Sequence, residues 1–211
     1  MILDKGAAVY RTKRRIILAS HSPRRKELLA ALGITFEVTG ADLDESAAAG
    51  ETVEEHVLRL AGQKAWAVSC KNPDAVVLGA DTIVVVDDAV LGKPADKTDA
   101  ARMLGLLSGR AHEVLTGIAV IVPHNENAYA QVVRTTVVMR ALNPHEIAAY
   151  VATGEPMDKA GAYAVQGMAS PFITRIEGSY TNVVGLPTAE VIDLLLMLGA
   201  IGPIERASRP E

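Results

Sequence analysis

The sequence predicts an α/β fold in which a mixed central sheet is flanked by helices. Three observations carry that expectation. Segments with a helical apolar period alternate with β-branched runs along the 211 residues. Two neighbouring pairs of β-branched runs are joined by short polar turns, a connection open to antiparallel strands and not to parallel ones, so the sheet is not purely parallel. A hydrophobic content of 49% supplies apolar side chains for one substantial core. A single domain is expected over residues 14–202, between a flexible leader at 1–13, where no period is visible, and a frayed tail at 203–211.

Along the chain, Arg15–Ala19 reads as the first strand. Ser22-Pro23 starts a helix, with serine as cap and proline at the first helical position; Leu28, Leu29 and Leu32 give it an apolar face and Gly33 stops it. Ile34–Val38 reads as a second strand, followed by an acidic loop of small residues through Gly50. Thr52 and Glu55 have the spacing of a capping box for a helix to about Lys71, which Asn72-Pro73 breaks. Ala75–Leu78 and Thr82–Val86 are β-branched runs on either side of Gly79-Ala80-Asp81, and Asp87-Asp88 turns the chain into Ala89–Leu91. A helix from about Thr98 to Leu107 ends at Gly109, and His112–Val122 with Ala128–Arg140 forms a long hairpin about Pro123–Asn127. Asn143-Pro144-His145-Glu146 caps the next helix, which Gly154 closes. After a glycine-rich stretch through Gly167, Phe172–Ile176 reads as a strand and Leu186–Leu198 as a helix ending at Gly199.

Composition removes several classes of function. A formal net charge of −4 argues against a protein held to nucleic acid by its overall field. The basic run Arg11-Thr12-Lys13-Arg14-Arg15 is too short to reverse that. The one cysteine, Cys70, leaves no disulfide framework, fits a reducing compartment and reads as a buried, inert thiol. Met1–Arg15 lacks the apolar stretch of a secretory signal, and Val191–Ile201 holds Asp193 and Gly199 and is too short to cross a bilayer. A cytoplasmic protein without membrane or nucleic-acid partners is expected.

Chemistry concentrates at three places. Arg24, Arg25 and Lys26 crowd the first turn of a helix, where the macrodipole disfavours each cation by about 0.3–1 kcal/mol. Ser20, Ser22, Arg24 and Arg25 together resemble a phosphate cradle, since a helix N-terminus offers free N–H groups and arginine adds paired donors; a solvated basic turn is the plainer alternative. Asp81 lies within the apolar stretch Val76–Val86, where a carboxylate needs a cation, a metal or hydrogen bonds, although a structural turn aspartate would also account for it. Asp42-Leu43-Asp44-Glu45 places three acids in one loop. No histidine or cysteine spacing suggests zinc, and His112, beside the Gly109 turn, reads as structural.

Leu18-Ala19-Ser20-His21-Ser22-Pro23-Arg24-Arg25-Lys26-Glu27-Leu28-Leu29 resembles the N-terminal signature of the Maf family of nucleotide pyrophosphatases. The likeness continues through Gly79-Ala80-Asp81-Thr82, Gly92-Lys93-Pro94, Ser108-Gly109-Arg110-Ala111-His112, Asp158-Lys159-Ala160-Gly161-Ala162-Tyr163 and Val183-Val184-Gly185-Leu186-Pro187. It implies a two-lobed fold akin to inosine-triphosphate pyrophosphatases, with a cleft for a nucleotide and a divalent cation, magnesium, manganese or cobalt. It implies that Asp81 and Glu45 are the catalytic, metal-holding carboxylates, with Asp44 a weaker competitor for the second position. Ser20, Arg24, Arg25, Lys64, Lys93, Lys159 and Gln166 would bind the substrate. Read without the family, the three lysines are solvated surface groups and Gln166 braces a loop, while Thr82, a β-branched strand residue, needs no function.

Asp81-Thr82-Ile83-Val84 and the stretch from Asp158 to Gly167 resemble the branch that acts on dTTP and UTP rather than the one that prefers 7-methyl-GTP. The implied reaction cuts a nucleoside triphosphate between its α- and β-phosphates, with modified pyrimidine triphosphates as further substrates in a house-cleaning role. A nucleotide-binding regulator of cell division and septum formation, without required turnover, is the rival reading. Homodimers are common in the family.

Overall fold

The computed structural model describes residues 8–87, 89–123 and 128–204. The second residue of the Asp87-Asp88 turn and most of the Pro123–Asn127 turn lie outside these residues, as do the ends of the expected leader and tail.

The elements run β1 (Tyr10–Thr12), β2 (Ile16–Ala19), α1 (Pro23–Ala31), β3 (Glu37–Val38), α2 (Val53–Ser69), β4 (Val76–Val86), β5 (Ala89–Leu91), α3 (Lys97–Leu107), β6 (Ala111–Ile121), β7 (Tyr129–Met139), α4 (Pro144–Ala152), β8 (Ile173–Glu177), α5 (Tyr180–Val184), α6 (Thr188–Met197) and β9 (Ile201–Pro203). Short 3-10 turns at Glu155–Asp158, Ala160–Ala162 and Ser170–Phe172 fill the stretch between α4 and β8. Local chemistry sets the helix starts. Ser22 caps α1, and Thr52 with Glu55 and Asn143 with Glu146 form reciprocal capping boxes on α2 and α4.

Seven strands form the expected mixed sheet in the order β3-β2-β4-β6-β7-β8, with β5 beside β4. β2 runs parallel to β3 and β4, while β4, β6, β7 and β8 pair antiparallel in sequence. One edge of β4 pairs with β6 without a break from Val77 to Val85. The other edge pairs with β2 only over Val76–Gly79 and with β5 only over Val84–Val86. Between these two partners the edge of β4 at residues 80–83 is left open. Ligands of α/β sheets settle at such changes of strand partner.

Side chains alternate across β4 with a period of two. Val77, Gly79, Asp81, Ile83 and Val85 face α2, where Val57, Ala61, Ala65 and Val68 are buried. The opposite face carries two buried clusters side by side. One joins α1 and α6 to Leu18, Val76, Leu78 and Ile118; the other joins α3, α4 and the 3-10 turns to Val84, Val114, Val137 and Met139. Two glycines bring α2 down onto the sheet. A Cβ on Gly79 would fall 2.9 Å from the backbone nitrogen of Ala65, and one on Gly117 2.9 Å from that of Leu58, with the carbonyl oxygens of Ala61 and Val57 closer still. No helix among the described residues is long and apolar enough to cross a membrane.

Several expectations change. Tyr10–Thr12, within the expected leader, is a strand paired antiparallel with Ile201–Pro203, whose last residue begins the expected tail. Arg15 lies outside β2 and is exposed, bound to Glu37 and Asp74. Ile34–Val38 shrinks to Glu37–Val38. The two runs around Gly79-Ala80-Asp81 are one strand of 11 residues, because the small residues admit α2 without bending the chain. Leu186–Leu198 contributes α6, but α5 precedes it and Gly185-Leu186-Pro187 separates them. Cys70 is exposed, not buried, since it caps α2 beyond the last sheet-facing residue, Val68.

Candidate active site

A cavity of about 680 Å³ opens at the gap beside β4. Asp81 and Thr82 are neighbours on one strand and therefore point to opposite faces. Asp81 is buried toward α2, and Lys64, five residues beyond Arg59 on that helix, meets it: Lys64 Nζ donates to Asp81 Oδ1 at 2.7 Å and lies 2.5 Å from Glu45 Oε1. One ammonium thus joins the two carboxylates that the resemblance singled out, although 36 residues of chain separate them. Asp81 and Lys64 have side-chain exposures of 10% and 9%, and Glu45 one of 55%. Burial works against the charged form of Glu45, but the hydrogen bond from Lys64 and the charges of Lys64, Lys93 and Arg25 outweigh it and hold its carboxyl below the usual range.

On the opposite face Thr82 meets Arg25, which α1 sends inward beneath its own first turn. Arg25 Nη2 donates to Thr82 Oγ1 at 2.9 Å, Nε to the Gly185 carbonyl at 2.8 Å and Nη1 to Ser20 Oγ at 3.4 Å. Burial pushes the guanidinium below its ordinary pKa, and Asp81 opposes the shift. Ser20 Oγ also accepts from the backbone N–H of Ser22, which fixes the turn between β2 and α1. Arg24 reaches Asp158 instead, 3.1 Å from its Oδ2, and Lys159 holds the same carboxylate at 2.6 Å and the Glu155 carbonyl at 2.7 Å. Lys26 is exposed and does not line the cavity.

Every expected site residue lines this one cavity: Ser20, Arg24, Arg25, Glu45, Lys64, Asp81, Lys93, Lys159 and Gln166. Lys93 and Gln166 sit exposed on its rim and make no hydrogen bond or ion pair among the described residues. Asp44 does not line it; its carboxylate accepts from the backbone N–H of Ser46 at 2.9 Å. His112 is buried, with Nε2 2.8 Å from the hydroxyl of Tyr163, and burial lowers its pKa to about 4, so it is a neutral core residue.

Residue-by-residue reading missed three groups. Thr82 is the acceptor that seats Arg25, Gly185 lends its carbonyl to the same guanidinium, and Asp158 ties Arg24 to the loop bearing Lys159. The period-two pattern of β4 was the available signal for Thr82, since whatever sits beside Asp81 must face α1. Nothing local announces the other two.

The donor set suits a hard divalent cation. Lys64 approaches Asp81 at Oδ1 and Glu45 at Oε1, while Asp81 Oδ2 and Glu45 Oε2 make no hydrogen bond among the described residues. Two carboxylate oxygens are ligands that magnesium or manganese accepts together with water. No group of three or more His, Cys, Asp or Glu side chains converges among the described residues.

The family model described as "Maf-like protein" matches residues 15–198. A dTTP/UTP pyrophosphatase of Geotalea uraniireducens (strain Rf4) is 53% identical over 189 residues, covering 90% of this chain and 97% of that protein. A second, from Pelotomaculum thermopropionicum, is 52% identical over 184 residues, covering 87% and 96%. Among solved structures, the Staphylococcus aureus Ham1 protein aligns with a TM-score of 0.46 at 14% identity, over 88% of this chain and 97% of that one.

Proposed function

The chain belongs to the family of Maf-like proteins, and from that premise we propose that it hydrolyses dTTP and UTP to the nucleoside monophosphate and pyrophosphate. The observation that carries the chemistry is the convergence of Asp81 and Glu45 on Lys64, in the same cavity as a fixed guanidinium that feels both of their charges. The names of relatives at 53% and 52% identity supply the substrates.

In this reading Arg25 and Ser20 are preset for phosphate oxygens, because three hydrogen bonds hold the guanidinium before any substrate arrives. Arg24 and Lys159 share the carboxylate of Asp158 until a triphosphate, with more charge and more acceptors, takes its place. Lys93 adds a point charge from the rim, and Gln166 offers both a donor and an acceptor to the nucleotide. Asp81 Oδ2 is placed to orient water and accept its proton, and Lys64 bridges the two carboxylates. We further propose a divalent cation on Asp81 and Glu45. When bound there it supplies charge neutralisation on the phosphates and on the departing pyrophosphate. A cytoplasmic location and a homodimer belong to the same proposal.

Purified chain incubated with normal and base-modified triphosphates and with magnesium, manganese or cobalt should release pyrophosphate fastest from dTTP and UTP. Saturable nucleotide binding without release from any triphosphate would replace this reading with that of a nucleotide-sensing regulator.

A further inference from the structure

Glu45 presents a problem of placement. Its loop has no regular secondary structure between β3 and α2, and its side chain is half exposed, yet its carboxylate must meet Lys64 and Asp81 at a defined point. What holds the loop runs from the cavity wall, where Glu51 and His56 sit, back to Arg59, which does not line the cavity. Arg59 projects from α2, the helix that also carries Lys64, and closes a two-toothed pair with Glu51, Nε to Oε1 at 2.6 Å and Nη2 to Oε2 at 2.8 Å. The Nη2 group also donates to the carbonyl of Ser46, the residue after Glu45, at 3.0 Å. Glu51 Oε2 in turn accepts from the backbone N–H of Ala48 at 3.0 Å and lies 3.2 Å from His56 Nδ1.

The Glu51 side chain is only 7% exposed, and the donors gathered on it, Arg59 first, then Ala48 and His56, lower its pKa to about 2. A carboxylate so enclosed is not a surface decoration. Its contacts fix two backbone groups of a loop that has few other anchors, and they do so from the rigid element that sets the position of Lys64.

We propose that Arg59 and Glu51 are positioning residues, a clamp on α2 that fixes the loop so that Glu45 arrives at Lys64 and Asp81; the inference rests on the catalytic reading of Glu45 given above. Neither residue needs to touch substrate. Lysine at position 59 keeps the charge and loses the planar fork, so Arg59→Lys tests geometry. Its kcat for dTTP should fall about 10–100-fold, as for other partners that orient a ligating side chain, with KM nearly unchanged. Amide exchange at residues 46 and 48 should accelerate in the metal-free chain while β4 keeps its protection. In a Glu45→Gln background, Arg59→Lys should add little, because the carboxylate it positions is gone.

Glu51→Gln, which keeps the shape and weakens the clamp from the other side, gives the same readouts should Arg59→Lys fold poorly. Losses that multiply in the double variant, or exchange at 46 and 48 that stays unchanged, would overturn the clamp. Full turnover in Glu45→Gln would instead overturn the reading of the site itself, and the clamp with it.

Discussion

Lys64→Met keeps most of the side-chain stem and deletes the ammonium that joins Asp81 to Glu45. The two carboxylates do not lose equally. Glu45, with 55% side-chain exposure, can turn to water, whereas Asp81, with 10%, stays where β4 holds it. The cost is therefore that of one stranded buried charge, the low end of the about 3–5 kcal/mol seen when one partner of a buried pair is removed. A loss of about 3 kcal/mol lowers Tm by about 6–12 °C in a chain of this size. Calorimetry at neutral pH reads it, in buffer containing a chelator, because the cation site proposed above uses the same two carboxylates. Adding Asp81→Asn removes the stranded charge, and the double variant should regain about half or more of the lost Tm. A double variant that melts no higher than Lys64→Met alone would refute the placing of the cost on Asp81.

Three further outcomes are expected. Asp81→Asn alone should leave the chain folded by circular dichroism while pyrophosphate release from dTTP falls about 10²–10⁴-fold, the range for loss of a proton-handling group; normal turnover would remove Asp81 from the mechanism. Gly79→Ala should cost about 1–3 kcal/mol or more in urea unfolding, since the added methyl meets the backbone of α2 rather than a side chain that can yield. His112 has a folded pKa of about 4 against an ordinary 6.5, so between these values the unfolded chain binds the proton and the native state does not. Stability contributed by neutral His112 is thus complete above pH 6.5 and declines on acidification, by up to about 3 kcal/mol at pH 4. The acid limb of Tm against pH should be shallower in His112→Phe, and an unchanged limb would contradict the neutral assignment.

Much of this architecture is written locally. The caps at Ser22, Thr52 and Asn143 were readable because a helix start is decided by a few adjacent residues. The sequence motifs named every residue whose side chain meets in the cavity under the proposed mechanism, but not how they meet. That Asp81 and Thr82 serve different helices follows from strand periodicity once β4 is known to be continuous, and the glycine and alanine in its middle hid that continuity. The pairing of Tyr10–Thr12 with Ile201–Pro203 could not be seen, because each segment is too short to show a period and its partner is at the far end of the chain. Asp158 and Gly185 were invisible as partners for the same reason: Arg24 and Arg25 find them 134 and 160 residues away.

The seat of α2 on Gly79 and Gly117 reaches beyond stability. Where main chain rests on main chain, the seam contains no side chain whose volume could drift. Aliphatic residues elsewhere on the helix can be exchanged, loosening or tightening the packing, while Lys64 and Arg59 keep their height above the sheet. A redesign of this pocket for another base could therefore draw freely on the rim at Val90, Lys93 and Gln166, and would do well to treat the helix and the two strands beneath it as a single fixed jig.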